Sequence, residues 1–166
     1  MKHVFGLAST TTLSDVQEQD IQPNAVDLRV DRIFRINNAM FEISNDSKFH
    51  RGSVELFASM PDGYFELQPG TYEVIFENII KVGEDEAGWV ITRSTLNRNG
   101  LFLTSGLYDS GYSGQLCSAL HVNCGLARIK KGTRIGQYIS FKAEALHKYE
   151  GSYGLSSEHD KKYNKG

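Results

Sequence analysis

The 166-residue chain carries 18 Lys and Arg against 20 Asp and Glu, a net charge of −2, with 40% hydrophobic and 23% charged residues. That balance excludes wholesale disorder and the strongly basic surface of a protein that coats duplex nucleic acid; no apolar run is long enough to cross a bilayer, so neither nucleic acid nor a membrane is expected as a partner. Cys117 and Cys124 form no C-x-x-C pair and residues 1–14 hold no long apolar stretch, which argues against a disulfide scaffold and a secretory signal and for a cytoplasmic protein.

Ser14 and Asp15 ahead of Val16 predict a capped short helix over 13–21, ended by Pro23. Val26-Asp27-Leu28-Arg29-Val30 alternates apolar and polar residues as a half-buried strand does. Ile33-Phe34-Arg35-Ile36 and Met40-Phe41-Glu42-Ile43 read the same way around an Asn37-Asn38 turn, and 45–53 reads as a polar loop. Tyr64-Phe65-Glu66-Leu67 leads through the turn Gln68-Pro69-Gly70 into a strand over 71–76. An acidic loop over 83–88 precedes the strand Trp89-Val90-Ile91, and Leu101-Phe102-Leu103, 116–122 and 135–141 follow as strands. Sixteen Gly, nine Phe and eight Tyr against three Pro suit many short strands and tight turns, hence an all-β sandwich or barrel. Nothing divides residues 1–150, and the Gly/Ser/Lys-rich tail 151–166 is expected to be mobile.

Several chemistries are absent. The H-x-E and P-C-x-x-C pairs that hold a deaminase zinc are missing, the five His show no metal-ligand spacing, and no Walker-type or dinucleotide-binding glycine loop occurs. The two Cys read as small buried hydrophobes. Three polar clusters remain. Arg93-Ser94-Thr95-Leu96-Asn97-Arg98-Asn99-Gly100 sets guanidinium forks and hydroxyls where phosphate oxygens could be bound, or is a solvated loop. Gly106 to Gly114 (G-L-Y-D-S-G-Y-S-G) joins close-approach glycines to Asp109, a general base for water or a turn cap, and Tyr112. Lys130-Lys131-Gly132-Thr133-Arg134-Ile135-Gly136-Gln137 brings cations into a strand, as a ligand site or a protected edge does.

In this order the clusters resemble the superfamily that joins dUTPases and dCTP deaminases. Gln22-Pro23-Asn24-Ala25-Val26-Asp27-Leu28-Arg29 is similar to Q-P-x-x-x-D-L-R, and Arg93-Ser94-Thr95-Leu96 with Arg98 and Gly100 to R-S-S/T-L-x-R-x-G. Gly106–Gly114 is close to the dUTPase signature G-V/L-I/V-D-x-D/G-Y-x-G, Gly132–Gln137 matches G-x-R-I-A/G-Q, and Tyr149–Gly154 is similar to the Y-x-G-x-Y segment of the deaminase-like branch. The sequence departs from ordinary dUTPases at Thr95, where they carry Gly, and at Gly111, where many carry Asp; its tail lacks their arginine.

The resemblance implies a β-clip, jelly-roll-like distorted barrel with one short N-terminal helix, assembled as a homotrimer with shared sites. Its substrate would be a deoxynucleoside triphosphate with Mg²⁺, its reaction attack of water on the α-phosphorus. By position, Asp109 would be the base, Tyr112 would pack on the deoxyribose, and the backbone from Leu107 to Gly111 would read the pyrimidine edge. Arg93, Ser94, Thr95 and Gln137 would bind phosphates, with Arg98 and Arg134 tuning that charge or bracing the interface. Asp27 would orient water around the metal, and Tyr153, on the tail, would close over the base. Three activities stay open: dUTP hydrolysis, dCTP deamination with or without hydrolysis, and a non-catalytic regulatory trimer; a hydrolase of dCTP or of a modified pyrimidine triphosphate is related to the first. The deaminase glutamate, five residues beyond the hairpin glycine, is replaced by Ala119; alanine can neither take nor give a proton.

Overall fold

The alternation that begins at Val26 runs on to Ile36 as one strand in the computed structural model, which describes residues 1–155 and 160–163. What splits it in the sequence is a bulge: Val30 pairs with Phe76 but Arg32 with Ile75, so one residue is extra on this strand. The extra residue switches the side-chain parity, and both Val30 and Ile33 reach the core.

The strands are β1 (Thr12–Leu13), β2 (Val26–Ile36), β3 (Glu42–Ile43), β4 (Lys48–Phe49), β5 (Ser53–Leu56), β6 (Tyr64–Leu67), β7 (Gly70–Lys81), β8 (Glu86–Thr92), β9 (Leu101–Thr104), β10 (Ser113–Val122), β11 (Ala127–Lys130) and β12 (Arg134–Lys142). One turn of helix, α1 (Ser94–Asn97), links β8 to β9. The main sheet runs β8-β12-β2-β7-β10-β9, with β1 beside β7 and β5 beside β2; β6 and β11 form a separate ribbon, and so do β3 and β4. The two ends of the path meet. The Thr92 hydroxyl accepts from Leu103 N–H at 2.7 Å and donates to Leu103 C=O at 3.3 Å, and Gly88 and Tyr108 exchange backbone hydrogen bonds. The sheet therefore closes into the expected jelly-roll-like barrel, around a core that includes Leu28, Ile33, Phe76, Leu116, Leu120, Ile135 and Tyr138. Among the described residues no helix is long and apolar enough to cross a membrane.

Several local expectations change. In place of a helix over 13–21 there is a three-residue 3-10 turn, Glu18–Asp20. Leu13 is instead paired with Ile80, Asn78 donates to the carbonyls of Ser14 and Asp15, and Asp15 sits at φ 53°, outside helical geometry. The loop over 45–53 contains β4 and the first residue of β5, and the acidic loop ends before Glu86, which already belongs to β8. Of the two cysteines only Cys117 is largely covered; Cys124 is exposed. Part of the tail, 156–159 and 164–166, lies outside the described residues.

Candidate active site

The β2–β12 pairing sets Asp27 directly opposite Gln137. Gln137 Nε2 donates to Asp27 Oδ1 at 2.9 Å, while Arg134 Nη1 and Arg93 Nε both lie 3.3 Å from Oδ2. The polar face of β2 is thus not solvated: Asp27 is 1% exposed and held by residues from two other motifs. Asp20 does the same work one layer out, with a two-pronged pair to Arg29 (3.0 and 2.7 Å) that holds the guanidinium charged and raises its pKa. Arg134 Nη1 also donates to Gln19 C=O at 2.6 Å, and Arg93 Nη1 to Arg134 C=O at 3.0 Å. Arg93, Arg134 and Gln137 are therefore braced within one chain. Ser94, Thr95 and Arg98, around α1 beside them, are exposed, and the Ser94 hydroxyl and the Arg98 guanidinium take no partner among the described residues.

Asp109 is the opposite case. It is exposed, and its carboxylate has no partner among the described residues. The turn that presents it is fixed on both sides: Tyr108 exchanges backbone bonds with Gly88, and the Ser110 hydroxyl donates to Glu86 C=O at 2.7 Å. Gly111 turns at φ 82°, in the left-handed region that glycine tolerates best. Gly114 is required for space, since a Cβ there would overlap the Tyr112 hydroxyl.

Beyond the turn lies a cavity of about 350 Å³ walled by Tyr108, Tyr112, Tyr149 and Tyr153, with Cys117, Ser118 and Ala119 of β10 behind them. Tyr112 is only 7% exposed; its ring meets Tyr108 and Tyr149 edge-on, each at 5.3 Å between centroids. Burial pushes the Cys117 thiol up to about 11, so it is not a nucleophile at neutral pH. Leu107 lines both this cavity and a second one of about 530 Å³ that holds Asp109 and residues of the segment 143–151. The tail reaches the first cavity: Tyr149 N–H donates to Ser110 C=O at 2.8 Å, Tyr153 N–H to the Tyr149 hydroxyl at 3.2 Å, and Gly154 N–H to buried Asp160 at 2.6 Å.

The predicted residues fall into two groups. Gln137 lies level with Ile91 of β8, whereas the Asp109 turn joins β8 at Gly88. Three strand residues separate the two, roughly 10 Å at about 3.3 Å per residue. A single chain does not bring Asp109 onto the Arg93–Gln137 cluster.

Residues 7–143 match the family model described as dCTP deaminase-like. The chain belongs to that family. Within the dCTP deaminase-like family it is similar to a probable deoxyuridine 5'-triphosphate nucleotidohydrolase of Methanopyrus kandleri, 34% identical over 143 residues that cover 84% of this chain and 91% of the relative. A deoxyuridine 5'-triphosphate nucleotidohydrolase of Methanocaldococcus jannaschii is 32% identical over 147 residues, 87% of this chain and 94% of the relative. Among solved structures, the 2'-deoxycytidine 5'-triphosphate deaminase of Agrobacterium tumefaciens shares the fold at a TM-score of 0.61 with 17% identity; the match covers 82% of this chain and 44% of that longer one.

Three features of this dCTP deaminase-like chain escape sequence reasoning. Asp20 lies in a segment with no motif of its own, so its bond to Arg29 has no local signal. Tyr108 stands at an apolar position of the signature, yet its hydroxyl donates to Cys117 C=O at 2.7 Å and accepts from Cys117 N–H at 3.0 Å. Glu86 reads as a loop acid but is 1% exposed, receiving the Thr10 N–H at 2.6 Å and the Ser9 and Thr11 hydroxyls at 2.7 and 2.8 Å.

Proposed function

We propose that the chain hydrolyses dUTP to dUMP and pyrophosphate, as a homotrimer with sites shared between subunits. The observation that carries the reading is the contrast between its two motif aspartates. Asp27 is buried and neutralised by Arg93 and Arg134, whereas Asp109 is exposed, unpartnered among the described residues and held on a rigid turn beside a base-sized cavity. The first arrangement suits holding phosphate-binding groups in place; the second suits taking a proton from water. The names of the archaeal relatives support the same activity.

In this reading Arg93, Ser94 and Gln137 of one subunit, with Thr95, bind the phosphates of a nucleotide whose base sits on the Leu107–Gly111 backbone of the next. Tyr112 packs against the deoxyribose, and Arg98 and Arg134 add positive charge. The roughly 10 Å between the two groups within one chain supports a shared site, because two subunits can close a distance that one barrel holds open. Residues 151–155 act as a lid over a domain of 1–150, with Tyr153 over the base. Mg²⁺ enters as part of the substrate. No group of three or more His, Cys, Asp or Glu among the described residues is placed to hold a metal, and both Asp27 oxygens are engaged, so the donor set suits an ion carried on the phosphates, with Asp27 at most reaching its water shell. The ion supplies charge neutralisation on the phosphates; Asp109 supplies the base. Deamination is disfavoured because Ala119 lines the cavity where a proton-shuttling glutamate would stand.

The Asp109→Asn variant tests the reading. The amide keeps the shape but cannot accept the proton, so pyrophosphate release from dUTP should fall about 10²–10⁴-fold while dUTP affinity, measured by calorimetry, stays near that of the parent. Hydrolysis at the parent rate would reduce Asp109 to a turn residue.

A further inference from the structure

Ala87-Gly88-Trp89-Val90-Ile91-Thr92 and Ile135-Gly136-Gln137-Tyr138-Ile139-Ser140-Phe141 form the adjacent strands β8 and β12, yet carry no charged residue. A strand with one face in water alternates apolar and polar residues, whereas a strand covered on both faces reads as a nearly continuous apolar run. The inward side chains Val90, Tyr138 and Ser140 are each at most 2% exposed. Their neighbours along the strands point outward: Trp89 and Ile91 on β8, Gln137, Ile139 and Phe141 on β12. Trp89 lies across from Ile139 and meets the Phe141 ring edge-on at 5.1 Å. It keeps 40% of its surface exposed, and the other four are half-buried. By contrast, β7 carries Glu73 and Glu77 at its half-buried positions, as a solvated outer face does.

This apolar strip joins the two half-sites. At one end Gln137 lies between Ile91 on β8 and Asp27 on β2, within the arginine cluster. At the other end Phe141 and Ala87 line the cavity that holds Asp109, beside Leu107 (53% exposed) and Leu146 (97% exposed). In the shared-site reading, on which the inference rests, whatever covers the strip brings an Asp109 turn toward a Gln137 end. A second copy of this chain does so, because it owns both ends and its uncharged strip is complementary to another of the same kind. We infer that the outer face of β8 and β12, centred on Trp89 and Ile139, is the surface on which copies of this chain meet. Such contacts, the Gln137 end of one copy beside the Asp109 end of the next, close a ring. An interface core is depleted of charge and enriched in aromatic side chains, and this strip is both. The competing surface is the apolar set Phe41, Ile43 and Phe49 of the β3–β4 ribbon; it stands among Lys48, His50 and Arg51, outside the main sheet.

Trp89 is the single tryptophan of the chain, so its emission reports on this strip alone. Sedimentation velocity of the full chain gives the assembly, and acrylamide quenching at the same concentration gives the cover over Trp89. The expected result is an oligomer whose tryptophan loses most of the quenching seen in the urea-unfolded chain. An oligomer with a freely quenched tryptophan, or a chain that stays monomeric at every concentration, overturns the inference. Ile139→Lys places a charge in the contact but leaves it in water on a single copy. Its circular dichroism should match the parent's while association weakens by about 10²–10³-fold. Ile43→Lys, on the ribbon, should associate as the parent does. Unchanged association of Ile139→Lys, or loss of association in Ile43→Lys, overturns the inference; if Ile139→Lys misfolds, quenching of the parent protein decides. None of these readouts uses catalysis. An oligomer with a shielded Trp89 that cleaves no dUTP keeps the surface and fails the hydrolase reading, whereas a freely quenched oligomer that cleaves dUTP does the reverse.

Discussion

Glu86→Gln should destabilise the protein in a manner that depends on pH. Burial works to raise the pKa of this carboxyl, yet the Thr10 N–H, the Ser9 and Thr11 hydroxyls and Lys2 outweigh it and bring the value from 4.5 down to about 2. A depressed folded-state pKa means that the unfolded chain binds the proton more tightly. The stabilisation is therefore complete above about pH 4.5 and is lost as pH falls toward 2. A shift of about 2.5 units at about 1.4 kcal/mol each corresponds to about 3.5 kcal/mol, of which about 3 kcal/mol is expected because Lys2 is partly exposed to solvent. The glutamine keeps the volume and lets the hydroxyls rotate, but it cannot repay Lys2, 3.5 Å away, or the fully aligned Thr10 N–H. For a chain of this size such a loss lowers Tm by about 6–12 °C. Thermal or urea unfolding of both proteins from pH 7 to pH 2.5 reads the effect, with the difference near 3 kcal/mol at neutral pH and shrinking below pH 4.5. A difference that stays constant with pH, or is absent at pH 7, would refute the charge argument. The effect also reaches the site: Glu86 C=O holds the Ser110 hydroxyl next to Asp109, so the variant's hairpin should exchange its amides faster.

Removing a second buried acid, Asp27, should act on the phosphate side. Asp27→Ala leaves Arg93 and Arg134 without their shared counter-charge and Gln137 without its acceptor. Breaking a buried pair of this kind costs up to about 3–5 kcal/mol, less here because both arginines are partly exposed; a lower melting temperature together with a raised KM for dUTP is expected, and a KM equal to the parent's would show that Asp27 positions nothing. Mixed subunits test the shared site. Asp109→Asn and Arg93→Ala chains, each expected to be inactive alone, should regain part of the dUTP activity when unfolded and refolded together, and no recovery in a mixture shown to co-assemble would place the whole site in one subunit.

Alternation at Val26–Val30, Tyr64–Leu67 and around Leu101 makes the β class legible, because a period of two survives in sequence wherever one face is apolar. The motif residues are legible for a different reason: each cluster is short and contiguous, so Arg93-Ser94 or Asp109 with Tyr112 can be read without knowing what lies opposite. How these clusters meet is not written in any of them. Asp27 becomes an ion-pair anchor only because β12 lays Gln137 across from it, with Arg134 arriving from 107 residues away in sequence and Arg93 from the end of β8. A cap favours the helix over 13–21, yet pairing of Leu13 with Ile80 outweighs local propensity. Glu86 reads as one more acid in a polar loop until the N-terminal segment wraps over it. Local patterning determined the strand content and the chemical groups; register, bulges and long-range burial decided which carboxylate is neutralised and which is left open to water, because those depend on partners that only the closed barrel brings within hydrogen-bond reach.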